Sequence, residues 1–383
     1  MNFRRVAAVF VRIVAQFRHD RRTLALLFLA PIAIIALLGW VLSSSGTSTV
    51  RVAVINESGN PADDAVVQKL TKALAGQPKI QIDGDVRDAA AARQALIDKK
   101  LDLVVALPAN FRLPNRTIDL ETLGLNPAGE ASVIPSIEQA LVGLVVQDAG
   151  GALPTIERSS VYGSPDATQL DTLAPVVVGF FVYFFVFILT GVSFLRERMG
   201  GTLERLMATP VSRAEIVLGY SLGFGFFATL QIALVLAFVI GRFSVPAIGP
   251  VPEFAIGLGV RTLGSPLIAY LLVLVLGLGA VSLGIFLSTF ARSEFQILQF
   301  IPIVIVPQGL LGGFFWPIDQ LPGLLQPVAR ILPVTYAIDG LRQVMIAGAD
   351  LTSPQVLLDL GVLAGIAAIF VFLAAATIRR EVA

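Results

Sequence analysis

Residues 196–220 read RERMGGTLERLMATPVSRAEIVLGY. Seven charged residues, a glycine pair and a proline sit here between two long apolar runs, more punctuation than a connecting loop needs. Gly200–Gly201 breaks a preceding helix, TLERLMA makes about two turns, and Thr209–Pro210 ends them. Ser212-x-x-Glu215 is a capping box that starts the next helix. The stretch predicts a short helix over about 201–209, presented sideways, with Leu203, Leu206 and Met207 apolar and Glu204 and Arg205 exposed.

On both sides the chain is greasy: 55% hydrophobic, only 14% charged, mean hydropathy +0.81. A soluble protein of 383 residues cannot hide that much apolar surface, so the membrane class follows. A helix needs about 20 apolar residues to cross the hydrocarbon core. Six runs qualify: 24–42, 174–195, 220–240, 266–290, 297–315 and 355–378. Arg4, Arg5, Arg12, Arg18, Arg21 and Arg22 precede the first run, and Arg196, Arg198, Arg205 and Arg213 separate the second from the third. Arg292 lies between the fourth and fifth, and Arg379 and Arg380 follow the sixth. The positive-inside rule makes all these segments cytoplasmic, and six spans bring both termini to that side. The first run is too long for a signal-peptide core and reads as an uncleaved anchor.

Residues 44–173 form one polar block of domain size. VRVAVIN, KIQID, LDLVVALP and TIDLETLGL read as strands. DDAVVQKLTKAL, DAAAARQALIDK and ASVIPSIEQALVGLVVQ read as helices between and after them, with Val66, Leu70 and Leu74 on one face and Ile134, Ile137, Leu141 and Val145 on another. The alternation predicts an α/β domain on the extracytoplasmic side. It holds no Gly-x-Ser-x-Gly or His-Glu-x-x-His motif, and Asp83 and Asp85 around Gly84 suit a turn better than a metal site. Cysteine is absent, which removes disulfides and thiolate chemistry; the single histidine, His19, is a solvated flank between Arg18 and Asp20. A net charge of +1 points to no nucleic-acid partner.

In residues 1–22, Phe3, Val6, Ala7, Phe10, Ile13, Val14 and Phe17 recur at three- and four-residue steps, with Arg5, Arg12 and Gln16 opposite. That pattern predicts an amphipathic helix lying on lipid at the cytoplasmic membrane face. Pro317, Pro322, Pro327 and Pro333, with Trp316 and Tyr336, punctuate an outer re-entrant or interfacial segment over about 317–350, with short helices in LPGLLQPVARIL and TYAIDGLRQVMIAG. Asp359, near the outer end of the sixth run, is the acid the spans contain, so a central carboxylate for ion-driven transport is missing. A Gly-x-x-x-x-Gly-Lys-Ser/Thr phosphate loop is also missing. Gly219/Gly223 and Ala280/Gly284 would let helices approach closely, within the chain or across a dimer seam.

The 196–220 stretch closely resembles the coupling signature of ABC-2 type (type V) exporter permeases. RVAVINESGN and DLVVALPANF look like strands of that family's extracytoplasmic domain, and FFWPIDQLPGLLQPVARILPVTYAIDGLRQV is similar to its outer segment. Gly200 beside Gly201, and Tyr220 after Leu-Gly, depart from the polar residues common there. The resemblance implies an α-helical polytopic fold of six transmembrane helices with an inserted α/β domain. Its parts are an elbow helix over 1–22, a first transmembrane helix over 23–43, an extracytoplasmic domain over 44–173 and a five-helix remainder over 174–383. The elbow carries Phe3, Arg5, Phe10, Arg12 and Phe17. Glu197, Gly201, Thr202, Leu203, Glu204, Leu206 and Pro210 form the coupling element facing a separate ATPase.

The same resemblance implies no catalytic site, metal or cofactor on this chain, with ATP and magnesium held by two copies of a cytoplasmic ABC ATPase subunit. It also implies a second permease chain, identical or paralogous, in the plasma (inner) membrane of a bacterium. Phe-rich, nearly uncharged spans suit a hydrophobic or amphiphilic cargo, drug-like or lipid-like, leaving the cytoplasm or inner leaflet. The alternatives are a sodium exporter of the same family and a membrane-anchored receptor, although an anchor needs one span rather than six.

Overall fold

The computed structural model describes residues 2–44, 49–57, 61–77, 79–84, 88–98, 100–108, 117–123, 127–148, 155–160, 168–246, 254–314, 318 and 321–377. Asp85, Trp316, Pro317, Arg379 and Arg380 lie outside these residues. Two compact units result, one built from 39–172 and one from 1–38 with 173–383.

The chain opens with α1 (Phe3–His19) and α2 (Arg21–Ser44). The Asn2 side chain caps α1 by accepting from the Arg4 N–H at 3.0 Å. Asp20 closes α1, donating its N–H to the Phe17 carbonyl, and its carboxylate accepts from the Thr23 N–H at 3.1 Å in the first turn of α2. One residue therefore ends one helix and starts the next. His19 is exposed, with Nδ1 2.8 Å from the Ala15 carbonyl.

In the 39–172 unit the order is β1 (Val50–Asn56), α3 (Pro61–Ala75), β2 (Ile80–Ile82), α4 (Ala89–Ile97), β3 (Leu103–Leu107), β4 (Thr117–Thr122), α5 (Pro127–Asp148) and β5 (Thr155–Ser160). They make one mixed sheet, β2-β1-β3-β4-β5, in which only the β3–β4 pairing is antiparallel. Strand alternation sorts the core onto two faces. Val50, Val52, Leu103 and Val105 pack with Leu70 of α3 and Ile137 of α5. Ala53, Ile55, Val104 and Ala106 pack with Ala92 and Leu96 of α4. β1 and β3 are covered on both sides, which explains their nearly unbroken apolar sequences. Asp102 locks their common end: it accepts from the Arg51 N–H at 2.9 Å and from its guanidinium at 3.0 and 3.1 Å, which raises the Arg51 pKa. The expected α/β domain is present, and β5 is an addition that the sequence pattern did not suggest.

The other unit continues with α6 (Gln169–Met199), α7 (Thr202–Met207), α8 (Arg213–Ile240), the hairpin β6 (Phe243–Val245) and β7 (Phe254–Ile256), α9 (Pro266–Ser288), α10 (Glu294–Leu311), α11 (Gln326–Ala329), α12 (Pro333–Met345) and α13 (Pro354–Thr377). Helices α2, α6, α8, α9, α10 and α13 are each long and apolar enough to cross a membrane. The six expected spans are thus present, the fifth ending at Leu311 rather than 315.

Packing between spans is close. A methyl on Gly284 of α9 would lie 3.0 Å from the Phe187 carbonyl oxygen and 3.1 Å from the Gly191 nitrogen of α6. Lipid gives apolar helix faces little reason to associate, so such contacts carry much of the cohesion. Of the two short helices expected after the fifth span, LPGLLQPVARIL yields only the single turn α11, whereas α12 is a three-turn helix with Val334, Ile338, Leu341 and Val344 fully buried.

Candidate functional site

Three consecutive residues at the end of α6 point in three directions, because each step along a helix turns about 100°. Arg196 forms a two-pronged pair with Glu294 in the first turn of α10, at 2.7 and 3.1 Å. Arg198 caps the far end of α9, donating Nη1 to the carbonyls of Ser288, Thr289 and Ala291 at 2.8–3.0 Å. Between them Glu197 is buried, and its Oε2 accepts from Arg12 of α1 at 2.8 Å and from the Tyr220 hydroxyl of α8 at 3.0 Å. Its other oxygen accepts from Gln16 of α1. A carboxylate at a helix C-terminus opposes the helix dipole. Three donors, one of them cationic, offset that cost and satisfy the buried charge.

Helix α1 runs parallel to the first half of α8. The Asn2 N–H donates to Glu215 Oε1, and Arg5 stands 3.8 Å from the other oxygen. That other oxygen accepts from the Ser212 N–H at 2.8 Å while Ser212 Oγ accepts from the Glu215 N–H, so the predicted capping box is present. Further along, a methyl on Gly219 would lie 2.5 Å from Val9 Cβ, and one on Gly223 would lie 2.7 Å from Ile13 Cγ2. Phe17 then packs on Phe224 and Phe227, with ring centroids 5.4 and 5.5 Å away. Of the two uses left open for this glycine pair, the contact within the chain is the one found.

The buried stripe of α1 is Val6, Val9, Ile13 and Phe17, and it faces α8. This corrects two expectations. Arg12 and Gln16, read as standing opposite the apolar stripe, both reach Glu197, because the buried carboxylate lies beside α1. Phe3 is 79% exposed, and Phe10 meets Phe226 edge-on at 6.1 Å on the flank of the stripe.

Gly201, at φ +67°, turns the chain from α6 into α7, a backbone conformation costly for residues with a Cβ. The short helix is Thr202–Met207, slightly tighter than expected. Leu203 is buried, Leu206 and Met207 are half-buried, and Glu204 and Arg205 are exposed. Thr202 Oγ1 accepts from Arg205 at 3.2 Å, and Thr209 Oγ1 donates to the Leu206 carbonyl at 2.6 Å, closing the turn before exposed Pro210. The seven residues named for coupling therefore divide. Glu197 and Leu203 root the element, Gly201 and Thr202 set its direction, and Glu204 and Pro210 face outward with part of Leu206.

Sequence reasoning treated Arg196 and Arg198 as topology markers and Tyr220 as a departure. The spacing of Arg12 and Gln16, one turn apart, was the available signal for a shared acceptor. Among the described residues no group of three or more potential metal-ligating side chains occurs.

A family model described as "ABC-2 family transporter protein" matches residues 21–376. The chain is 30% identical over 197 residues to ABC transporter G family member 20 of Dictyostelium discoideum, covering 51% of this chain and 25% of that protein. It is 25% identical over 364 residues to the probable multidrug ABC transporter permease YbhS of Escherichia coli (strain K12), covering 91% of this chain and 90% of the relative. A third similarity, 26% over 219 residues, is to the linearmycin resistance permease protein LnrN of Bacillus subtilis (strain 168), covering 57% and 52%. The chain thus spans a quarter of the first relative's length and about half of the third's.

Proposed function

The chain belongs to the ABC-2 family of transporter proteins, and on that premise we propose that it exports a hydrophobic or amphiphilic compound, drug-like or lipid-like, under power from a docked ATPase. Members of this family are multi-pass membrane subunits lacking an ATPase domain, and they work with ATP-binding subunits. The observation that carries the proposal is α7, a short helix with an outward Glu204 whose base is tied through Arg196, Glu197 and Arg198 to α10, to α1 with α8, and to α9.

In this reading α7 receives the ATPase. Two ATPase copies hold ATP and magnesium and serve two permease chains, identical or paralogous. A push on α7 reaches the bundle through the buried Glu197 rather than through loose loops. Both termini, α1 and α7 then lie on the cytoplasmic side of a bacterial inner membrane. The multidrug and linearmycin-resistance names of the relatives, together with the Phe-rich spans, support an amphiphilic cargo.

The test compares accumulation of amphiphilic dyes and of sodium in cells with and without the permease and its ATPase. Lower dye accumulation that depends on ATP hydrolysis is expected. Sodium efflux with unchanged dye handling would replace the cargo assignment.

A further inference from the structure

Far from α7, a cavity of about 380 Å³ opens between the end of α10, α12 and the start of α13. Leu272 of α9 lies beside it, about 24 Å along that helix from the Ser288 end at 1.5 Å per residue. Asp339, Arg342, Gln355, Asp359 and Tyr336 are on its wall. Asp359 is fully buried. Its Oδ1 receives only a long 3.4 Å contact from Gln355 Nε2, which donates more closely to Asp339 Oδ2 at 2.9 Å. Its Oδ2 has no hydrogen-bond partner among the described residues.

Among the described residues two cations line the cavity, Arg330 and Arg342, and neither donates to Asp359 Oδ2. Arg342 Nη2 donates to the Gly313 carbonyl at 3.0 Å, and burial pushes its pKa down while Asp339 opposes the shift. A buried carboxylate oxygen without a donor is costly, so it marks a place where a positive hydrogen-bond donor would be welcomed. The volume suits a small organic molecule rather than a bare ion, and Ile318, Ile338 and the Tyr336 ring supply an apolar body.

We propose that this cavity is a binding site for organic ammonium compounds, with the N⁺–H group donating to Asp359 Oδ2 and the apolar part lying against Tyr336 and Ile338. The proposal goes beyond the export function in assigning a ligand class and a place. Binding is measured apart from transport, so either can fail alone.

The experiment uses the full chain in lipid nanodiscs and measures saturable binding of radiolabelled tryptamine, with tryptophol as neutral competitor and indole-3-propionate as anionic competitor. Tryptamine should bind and neither competitor should displace it. Asp359→Asn should weaken binding on the order of 30-fold, the scale for losing one partner of a buried charge pair. The variant replaces a buried carboxyl group whose Oδ2 lacks a donor and should unfold no earlier than wild type. Gln355→Arg changes an exposed residue and places a tethered guanidinium between both carboxylates, so it should abolish binding with the fold intact. Absence of saturable tryptamine binding overturns the site, as do displacement by tryptophol or indole-3-propionate and wild-type affinity in either variant.

Discussion

The Tyr220 hydroxyl donates to Glu197 Oε2 across 3.0 Å, so α6 and α8 meet at the carboxylate that also receives Arg12 from α1. Glu197→Ala strands the Arg12 guanidinium and the Tyr220 hydroxyl together. The expected loss is about 2–3 kcal/mol, below the ~3–5 typical of a broken buried pair, because partly exposed Arg12 regains water. Tyr220→Phe should cost about 1 kcal/mol. Unfolding midpoints in detergent measure both, and an unshifted Glu197→Ala would falsify the three-helix tie.

The glycine contacts on α8 make a steric prediction. Gly219→Val and Gly223→Val drive branched side chains into Val9 and Ile13, an overpacking cost of about 1–3 kcal/mol or more. The cheaper relief is displacement of α1, so trypsin should cut at Arg12 and Arg18 faster in both variants. Gly361→Val, where an added Cβ meets nothing within 4 Å, is the control and should digest like wild type.

On α7, Glu204→Lys reverses an exposed charge without touching the core. The variant should reach the membrane at normal abundance and keep its unfolding midpoint, yet lose transport and weaken ATPase co-purification, since like charges at an interface can cost several kcal/mol. Gly201→Pro forces φ toward about −65° where the chain needs +67°. It should redirect α7 with the same transport defect. Wild-type transport and ATPase association in both variants would reduce α7 to a connector.

Residues 48–168 expressed alone should give a soluble domain with a mixed α/β circular-dichroism spectrum. Within it, Asp102→Ala leaves the Arg51 N–H without its acceptor at the joint of β1 and β3. The expected cost is about 1–3 kcal/mol, read from urea denaturation. A predominantly helical spectrum would contradict the sheet.

What the sequence disclosed follows from how strongly each element repeats. β1 and β3 are buried on both faces and therefore spelled in apolar runs, while Ser212 and Glu215 announce a helix start chemically. β5, TIERSS, is a sheet edge with exposed Thr155, Glu157 and Ser159, so little hydrophobic pattern marks it. The hairpin strands β6 and β7 are three residues each, too short for any period to register. The site divided along the same line. Gly201, Leu203 and Glu204 act within one local turn and were legible there. Glu197 was assigned to an external partner, because its real ligands, Arg12, Gln16 and Tyr220, are 185, 181 and 23 positions away in sequence.

That separation also sets a schedule for biosynthesis. Asn2 and Glu215 are 213 positions apart, so at roughly 5–20 residues per second α1 leaves the ribosome about 10–40 s before its docking groove exists. Throughout that interval Val6, Val9, Ile13 and Phe17 have no protein partner on α8. An amphipathic segment with arginines flanking an apolar stripe is suited to wait on an anionic bilayer surface. The same four side chains that α8 later covers are therefore, for that interval, an apolar stripe with its protein partner still unmade.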